Sequence, residues 1–393
     1  MFVPVYQGLT PSDFARPARS QAGQFPFDAP RQWYFYRARN AIYHLFRILR
    51  ASRSALTVLA PDYNSGNEVL AMRAAGATVR TCPIGRDLRL DAAEVERHCE
   101  RLSPDVLYVI HYAGWPQPMA ALVDVCRRRG MLLVEDCALA LLSADSQRPL
   151  GTYGDWAVFC LYKTLPLPNG AVLVQNDADP AVERALDALP FRSPGLRSAV
   201  GRTAELMVQR LRSRADRIGS ALDGLKRSAG RAATALNVRG PNVGDIGFEV
   251  DDVDLAISSV SAHLLKRLDL DAVRARRIAN YHGLTERMRG SVTPVFASLP
   301  AGACPLFFPV LVPDKHEAAR ALQARGVDAL EFWNDRVDLE GCDAGRVERF
   351  LHTHVLELPV HQDLTPRHLD HVARQVSSLD LRMRDAADSV YAA

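Results

Sequence analysis

The sequence predicts an α/β protein with a mostly parallel sheet flanked by helices, followed by a smaller C-terminal α+β domain. Two observations support this class. Short apolar runs alternate regularly with segments of helical periodicity, which is the order expected of strand–helix–strand units. The runs are also nearly continuous in apolar residues, as in parallel strands that are buried on both faces.

The first half of the chain provides the alternating elements, beginning with a helix predicted over 38–51. The predicted strands are Leu56–Ala60, Thr78–Cys82, Val106–His111 and Met131–Asp136, and the helices between them are Glu68–Ala75, Asp91–Arg101 and Met119–Arg129. Ligands in such folds bind beyond the carboxyl ends of the strands. We therefore expect the strand-end residues His111 and Asp136 to lie at one ligand-binding edge.

Four regions are predicted along the 393 residues: an N-terminal arm (1–30), a large domain (31–195), a basic helical insertion (196–240) and a small C-terminal domain (246–393). A chain of this length favours more than one domain. The elements predicted in the small domain are helices over 253–290, a strand at Phe307–Val312, a helix at Lys315–Arg325, a strand at Leu356–Pro359 and a closing helix at Pro366–Leu379.

The insertion is rich in Arg and Ala and poor in acids. Apolar residues recur in it every three or four positions, including Val200, Ala204, Met207 and Leu211, so we predict a long amphipathic helix with a basic outer face. Two interpretations are open. The helix packs on this subunit or on a partner, or it rests on an anionic membrane surface or guides an anionic substrate.

Bulk composition excludes several classes of function. A net charge of +3 predicts no nucleic-acid partner. Seven cysteines without CxxC spacing argue against a disulfide framework or a zinc site, so we predict no metal and a reducing, cytoplasmic location. The N-terminus has no basic region followed by a long apolar run, and we therefore expect no secretory signal.

Two apolar runs end on charged residues, Asp136 and Lys163. If both runs are strands, a carboxylate and an amine meet at the same edge of the sheet. Pyridoxal-phosphate enzymes need this pair, because a lysine forms the Schiff base and an acid pairs with the protonated ring nitrogen. By spacing alone the alternative is a loop-capping Asp and a surface Lys.

Five segments extend the pattern: His111–Gly114, Glu135–Ala138, Gly151–Asp155, Phe159–Lys163 and Pro166–Ala171. Their order and spacing resemble the sugar aminotransferases of the DegT/DnrJ/StrS type, which are fold type I pyridoxal-phosphate enzymes. The resemblance covers about residues 35 to 380, apart from the basic helix. It identifies the chain as a divergent member, with 31–195 as the cofactor-binding domain.

The resemblance implies a role for each matched residue. Lys163 would be the Schiff-base lysine, Asp136 the partner of the pyridine nitrogen, and His111 a strand-end residue beside the cofactor; the alternative for His111 is a structural, hydrogen-bonded histidine. Most of the family transfers an amino group from glutamate or glutamine to a nucleotide-linked keto-sugar, for polysaccharide or glycoconjugate assembly. Members generally work as homodimers with the site at the subunit interface.

This chain departs from the family where the cofactor phosphate binds. Arg37-Ala38-Arg39, followed by Asn40, replaces the usual Ser-Gly-Thr, and Cys160 stands where related enzymes often carry a serine. We expect the arginines to hold the phosphate by charge-assisted hydrogen bonds. At the ring, the position of the usual stacking aromatic is Ser65, and Tyr63 is the nearby substitute.

Three hypotheses follow from this mixture. The first is an aminotransferase with an arginine-based phosphate site. The second is a catalytically altered or inactive family member that acts as a scaffold or regulator of a biosynthetic complex. The third keeps the cofactor but changes the reaction, for instance to dehydration or desulfuration.

Overall fold

The computed structural model describes residues 1–214, 248–333 and 345–383. It confirms the predicted fold class: a seven-stranded, mostly parallel sheet is flanked by helices, and a three-stranded antiparallel sheet follows. The large sheet contains Gln32–Phe35 (β1), Thr57–Pro61 (β2), Thr78–Cys82 (β3), Val106–Ile110 (β4), Leu132–Asp136 (β5), Trp156–Cys160 (β6) and Ala171–Gln175 (β7). The small sheet contains Thr293–Pro294 (β8), Phe307–Leu311 (β9) and Val355–Pro359 (β10).

Helices connect and cover these strands, and six of the thirteen described helices lie within two residues of their predicted bounds. In the large domain they are Ala38–Ala51, Asn67–Ala74, Ala92–Leu102, Met119–Arg129, Leu161–Thr164 and Pro180–Asp187. Elsewhere they are Pro11–Ala15, Leu196–Arg214, Ser259–Leu265, Leu270–Arg287, Lys315–Ala324, Arg346–His354 and Pro366–Ser378. None of the described helices is long and apolar enough to cross a lipid bilayer.

The strand order of the large sheet places several strand ends together. The order is β1-β7-β6-β5-β4-β2-β3, and β2 to β6 run parallel to one another. Because β7 is antiparallel to both of its neighbours, β1 runs in the same direction as β6. We call the side on which β1, β4, β5 and β6 end the carboxyl edge. Phe35 and Cys160 both lie opposite Ala171 there.

The prediction that the apolar run before Lys163 is one continuous strand is wrong. β6 ends at Cys160, and Lys163 lies in the single helical turn Leu161–Thr164. The physical reason is the loss of a pairing partner, since β7 begins at Ala171, directly opposite Cys160. Beyond that point the backbone hydrogen-bonds locally, from the Leu165 N–H to the Leu161 carbonyl over 2.9 Å.

In the described part of the basic helix, Leu196–Arg214, this chain leaves most of the predicted apolar stripe uncovered. Three of its four residues are exposed: Val200, Ala204 and Leu211. The buried face consists of residues spaced seven apart: Ala199, Leu206 and Ser213. The N-terminal arm docks on this face, where the Leu9 N–H donates to the Leu206 carbonyl over 3.1 Å. This part of the helix therefore packs on its own chain; residues 215–240 and the predicted linker lie outside the described residues.

The N-terminal arm is predicted from composition alone, and the structure shows how it is held. It contains the short helix Pro11–Ala15. Val3 is fully buried and forms a parallel β-bridge with Val327, and its N–H donates to the Gly326 carbonyl over 2.8 Å. The arm therefore contacts both the small domain and the basic helix. The proposed domain boundaries themselves stay a prediction.

Candidate active site

Asp136 ends β5 at the carboxyl edge and is buried. Its Oδ2 accepts the Tyr108 hydroxyl at 2.6 Å, and its Oδ1 accepts the Ala138 N–H at 2.8 Å. Burial raises the pKa of the carboxyl, while these hydrogen bonds and the charge of Lys163 act in the opposite direction. A buried carboxylate of this kind is stabilised by a cationic hydrogen-bond donor placed beside it.

Lys163 is half-buried, and its Nζ lies 5.5 Å from the centroid of the Phe332 ring. Its charge is close enough to influence both Asp136 and Cys160. Across the described ranges of the chain, the amine makes no hydrogen bond or ion pair. Only four of the 48 Lys and Arg residues are lysines, so a lysine here stands out from a composition that favours arginine. The site thus offers a primary amine beside a buried carboxyl.

Arg37 and Arg39 lie at the N-terminus of the helix Ala38–Ala51, directly after β1. The direction of β1 brings them to the carboxyl edge, where their charges lower the pKa of Tyr162 against the larger effect of burial. Burial lowers the pKa of Arg39, and the charge of Arg37 lowers it further. Two neighbouring guanidinium groups at a helix N-terminus attract an anion with more than one charge.

The charges at the carboxyl edge fit pyridoxal phosphate. A buried carboxyl that favours a cationic partner suits the protonated ring nitrogen, and a pair of arginines suits the phosphate. Lys163 lies between these two ends along the carboxyl edge, because it follows β6, which lies between β5 and β1 in the sheet. Lys163, Asp136, Arg37 and Arg39 are therefore the residues that would hold the cofactor.

Asn40 and Cys160, also predicted to bind the cofactor, are both buried. The Asn40 side-chain amide donates to the Asp252 carbonyl at 2.6 Å and to the Val253 carbonyl at 3.4 Å. It thereby ties its helix to the first residues of the predicted small domain. Burial raises the pKa of the Cys160 thiol. The contacts of both residues with a cofactor stay predictions.

His111 is fully buried, and protein groups engage both of its ring nitrogens. Its Nδ1 accepts the Gln117 N–H at 3.2 Å, which leaves Nε2 to carry the proton and donate to the Glu135 carboxylate at 3.0 Å. These contacts favour the structural interpretation of His111. Its proximity to Asp136, whose pKa its charge would lower, still places it beside the site.

The Glu135 carboxylate holds the backbone of the Gly151–Asp155 segment in place. Besides His111, its carboxylate accepts the backbone N–H groups of Gly151, Tyr153 and Gly154 at 2.7–3.0 Å. A Cβ atom at Gly154 would come within 2.5 Å of the Leu133 carbonyl oxygen, so the close approach of this loop requires glycine. His111, Glu135 and Cys137 bring ligand-type atoms within 4.8 Å of one another, but four N–H groups already occupy the carboxylate.

Tyr63 and Ser65 lie on the other side of the site, and neither has a free polar group pointing to it. The Tyr63 hydroxyl donates to the Phe332 carbonyl at 3.2 Å, and its ring centroid lies 4.7 Å from that of Trp333. The Ser65 N–H and hydroxyl both donate to the buried Glu68 carboxylate. Burial raises the pKa of Glu68, as does the charge of Asp136. The predicted cofactor contacts of Tyr63 and Ser65 stay predictions.

Sequence reasoning missed several residues that surround Lys163 and Asp136. Tyr108 could have been placed near Asp136 from the alternation of side chains along parallel strands. It pairs with Val134 and therefore lies on the same face of the sheet as Asp136. Glu68 also had one, since Ser65 and Glu68 have the spacing of a helix-capping pair. Phe332 and Trp333 had none, because they reach the site from the small domain.

The fold and the site together define a class of protein. The chain superimposes on PseC of Helicobacter pylori, an aminotransferase involved in the biosynthesis of pseudoaminic acid, with a TM-score of 0.69, 13% identity and coverage of 97% and 99% of the two chains. A second structure, the putative sugar aminotransferase Spr1654 of Streptococcus pneumoniae in its PLP form, gives a TM-score of 0.68 with 13% identity and the same coverage. The architecture is that of fold type I aminotransferases.

Sequence comparison identifies the family. Residues 55–377 match the DegT/DnrJ/EryC1/StrS aminotransferase family, and the chain belongs to it. One curated relative is the dTDP-4-dehydro-2,3,6-trideoxy-D-glucose 4-aminotransferase of Saccharopolyspora spinosa. The two are 30% identical over 138 residues, which span 32% of this chain and 36% of the relative. The match thus covers about a third of the length of that enzyme.

Proposed function

We propose that this protein is a pyridoxal-phosphate-dependent aminotransferase that transfers an amino group from glutamate or glutamine to a nucleotide-linked keto-sugar. Polysaccharide or glycoconjugate biosynthesis is the proposed context. Family membership and the name of the Saccharopolyspora spinosa relative support the activity and the class of acceptor. The observation that carries the proposal is the row of complementary charges at the carboxyl edge, with Asp136, Lys163 and the Arg37–Arg39 pair in sequence along it.

Each residue has a defined task in this proposal. When bound, the cofactor supplies an electron sink that stabilises negative charge on the carbon of the donor or acceptor. The Lys163 Nζ holds the cofactor and moves protons to and from that carbon. The Asp136 carboxylate keeps the proton on the ring nitrogen, with Tyr108 orienting Oδ2. Arg37 and Arg39 neutralise the phosphate.

Spectroscopy of the purified protein loaded with pyridoxal phosphate tests the first half of the proposal. We expect a visible absorbance band from lysine-bound cofactor, and reduction with borohydride followed by peptide mapping should place the label on Lys163. Lys163→Ala should abolish the band. Lys266→Ala is the matched control, because Lys266 is exposed at the end of the helix Ser259–Leu265. A protein that binds no cofactor under these conditions overturns the proposal.

Amino transfer tests the second half. Glutamate or glutamine should convert the lysine-bound form, and a panel of nucleotide-linked keto-sugars should then restore it with formation of an amino sugar. Cofactor binding with elimination of water or sulfide instead of amino transfer would favour the altered reaction. Absence of both binding and transfer would favour the scaffold or regulator, which no present comparison supports.

Two further statements belong to the same proposal. We expect a homodimer with nucleotide-sugar and amino-acid substrates as its small-molecule partners, and size-exclusion chromatography with light scattering measures this directly. A monomer at working concentration contradicts the expected assembly. A cytoplasmic location stays a prediction from the cysteine pattern, to be checked by fractionation of the source cells.

A further inference from the structure

Arg277 is the largest fully buried side chain of the described residues, with 1% of its surface exposed. It belongs to the helix Leu270–Arg287, outside the large sheet. Its guanidinium makes hydrogen bonds to neutral groups: the carbonyls of Thr164, Leu306 and Pro305 at 3.0–3.3 Å, and the Gln7 amide oxygen at 3.0 Å. Burial lowers the pKa of Arg277 to about 10.

The contact with Thr164 connects Arg277 to Lys163. Thr164 ends the helical turn that contains the lysine, and its carbonyl also accepts the Gln362 side-chain amide at 3.2 Å. On the other side of Lys163, the Tyr162 carbonyl accepts the Gln7 amide at 3.3 Å. Gln7 is itself fully buried and accepts a bond from Arg277. The carbonyls on both sides of Lys163 are therefore held by three side chains from distant segments.

The turn needs this support because it is too short to hold itself. A four-residue helix leaves most of its carbonyl groups without internal partners, and buried carbonyls without partners are costly. The Lys163 amine makes no hydrogen bond in the described residues, so the backbone of the turn is what directs the side chain. Its direction thus depends on the donors that hold the Tyr162 and Thr164 carbonyls.

A buried guanidinium is an expensive way to satisfy carbonyl groups. Its desolvation is unfavourable when no carboxylate forms a hydrogen bond with it. The advantage of the guanidinium group is its geometry, since a planar fork with five N–H groups can bind several carbonyls in fixed directions. Arg277 uses the fork to join the lysine turn, the N-terminal arm through Gln7, and the residues that precede β9.

We propose that Arg277 is a positioning residue for Lys163, acting through its fork on the Thr164 carbonyl and through Gln7 on the Tyr162 carbonyl. The inference rests on the proposed function for its biological meaning. The positioning itself is a property of the protein without cofactor. In this arrangement the N-terminal arm and the small domain both determine where the lysine points.

The test uses the small number of lysines. Reductive methylation with isotope-labelled formaldehyde marks the accessible lysines and the N-terminus; the chain has only four lysines, so the cofactor-free protein gives few NMR signals. The signal missing in Lys163→Arg identifies Lys163. We expect Arg277→Lys, which keeps a charge but loses the fork, to shift or broaden the Lys163 signal. The signal of the exposed Lys266 should not change, and Arg277→Lys itself adds one new lysine signal. Covalent linkage of added pyridoxal phosphate to Lys163 should slow on the order of a hundredfold.

Two further variants separate positioning from general stability. Arg276→Lys is the matched control, because Arg276 is the preceding residue on the same helix and, among the described residues, donates only to the Leu364 carbonyl, at 3.1 Å. It should leave the Lys163 signal and the linkage rate unchanged. Gln7→Leu removes the second support from a distant segment and should shift the same signal, with a linkage rate lower by on the order of tenfold.

The outcomes decide the proposal even if Arg277→Lys does not fold, because Gln7→Leu and Gln362→Leu probe the same two carbonyls. An unchanged Lys163 signal in these variants, with only a lower melting temperature, overturns the positioning role. An Arg277→Lys variant with the wild-type Lys163 signal and linkage rate also overturns the positioning role, because a positive charge alone would then be sufficient. A shifted signal in a protein that never links the cofactor supports the positioning role and refutes the proposed function separately.

Discussion

The two ends of the candidate site are built differently. At one end, Asp136 ends β5 and Lys163 lies in the helical turn that follows β6, the parallel neighbour of β5. At the other end, Arg37 and Arg39 begin a helix, and long flexible side chains replace the small hydroxyl residues that the family resemblance leads one to expect. By the family resemblance, Lys163 and Asp136 are the residue types expected at the first end, whereas the arginines at the second end are a departure whose charge complements a phosphate.

The difference follows from what each end must recognise. Covalent attachment requires a primary amine, and protonation of a ring nitrogen requires a carboxylate close to it, so few residue types are suitable. A phosphate accepts hydrogen bonds from many directions, and arginine serves it as well as backbone and hydroxyl groups do. We therefore expect changes at the first end to reduce the rate of reaction and changes at the second to reduce affinity.

Of the substitutions at the two ends of the site, Asp136→Asn should have the largest effect on the rate of amino transfer. A neutral amide does not keep the proton on the ring nitrogen, and we expect the rate of amino transfer to fall about 10²–10⁴-fold. Binding of the cofactor to Lys163 should persist. Stability should not fall, because burial raises the pKa of Asp136 and makes its charge unfavourable. Stopped-flow absorbance measures the rate of amino transfer. An unchanged rate at saturating cofactor would contradict the role of Asp136 at the ring nitrogen.

Arg37→Gln and Arg39→Gln address the phosphate end. Each substitution removes a charge-assisted hydrogen bond worth about 1.5–3 kcal/mol, so the dissociation constant for the cofactor should rise roughly tenfold to a hundredfold. The rate at saturating cofactor should change little. Fluorescence titration measures the affinity.

Arg47→Gln is the matched control for the phosphate end. Arg47 is exposed on the same helix and stacks over Tyr43, two turns from the helix N-terminus. Its substitution should leave cofactor affinity at the wild-type value. Equal losses in all three variants would mean that only the overall charge of the helix matters.

Tyr108→Phe should weaken the Asp136 end by a smaller amount. It deletes one hydrogen bond to Oδ2, worth about 1 kcal/mol, and a fall of roughly fivefold in the transfer rate is expected. Tyr34→Phe is the control, since Tyr34 donates to Gln32 in β1 and has no contact with Asp136. Equal rates for Tyr108→Phe and the wild type would show that Asp136 does not depend on this hydroxyl.

Glu357→Gln should affect stability and neither end of the site. Burial raises the pKa of Glu357 from 4.5 to about 8, against the charge of Lys315. Its carboxyl therefore loses its proton more readily in the unfolded chain, and its stabilising contribution, complete below pH 4.5, is lost as the pH rises to about 8. The glutamine variant should lack that decline. Urea unfolding at several pH values tests this, and parallel curves for the two proteins would refute it.

Much of the fold was predictable because its signals are local. Apolar runs and helix caps define β2 to β5 and their helices; Asp91, for example, caps its helix by accepting the Ala93 N–H. β1 and β7 were not predicted. Their four- and five-residue runs become strands by pairing with each other and with β6 across the chain.

For the site, the sequence by itself predicted the candidate groups, because residues at the ends of parallel strands share an edge whatever surrounds them. Asp136 was proposed from this pattern, and Lys163 from a run of which only the part up to Cys160 is a strand. Arg37 and Arg39 were proposed through the family resemblance. Only the tertiary structure decided how these groups are held. Arg277, Gln7, Gln362 and Phe332 come from segments far apart in the chain, and no local pattern reports which distant donors will meet a given carbonyl.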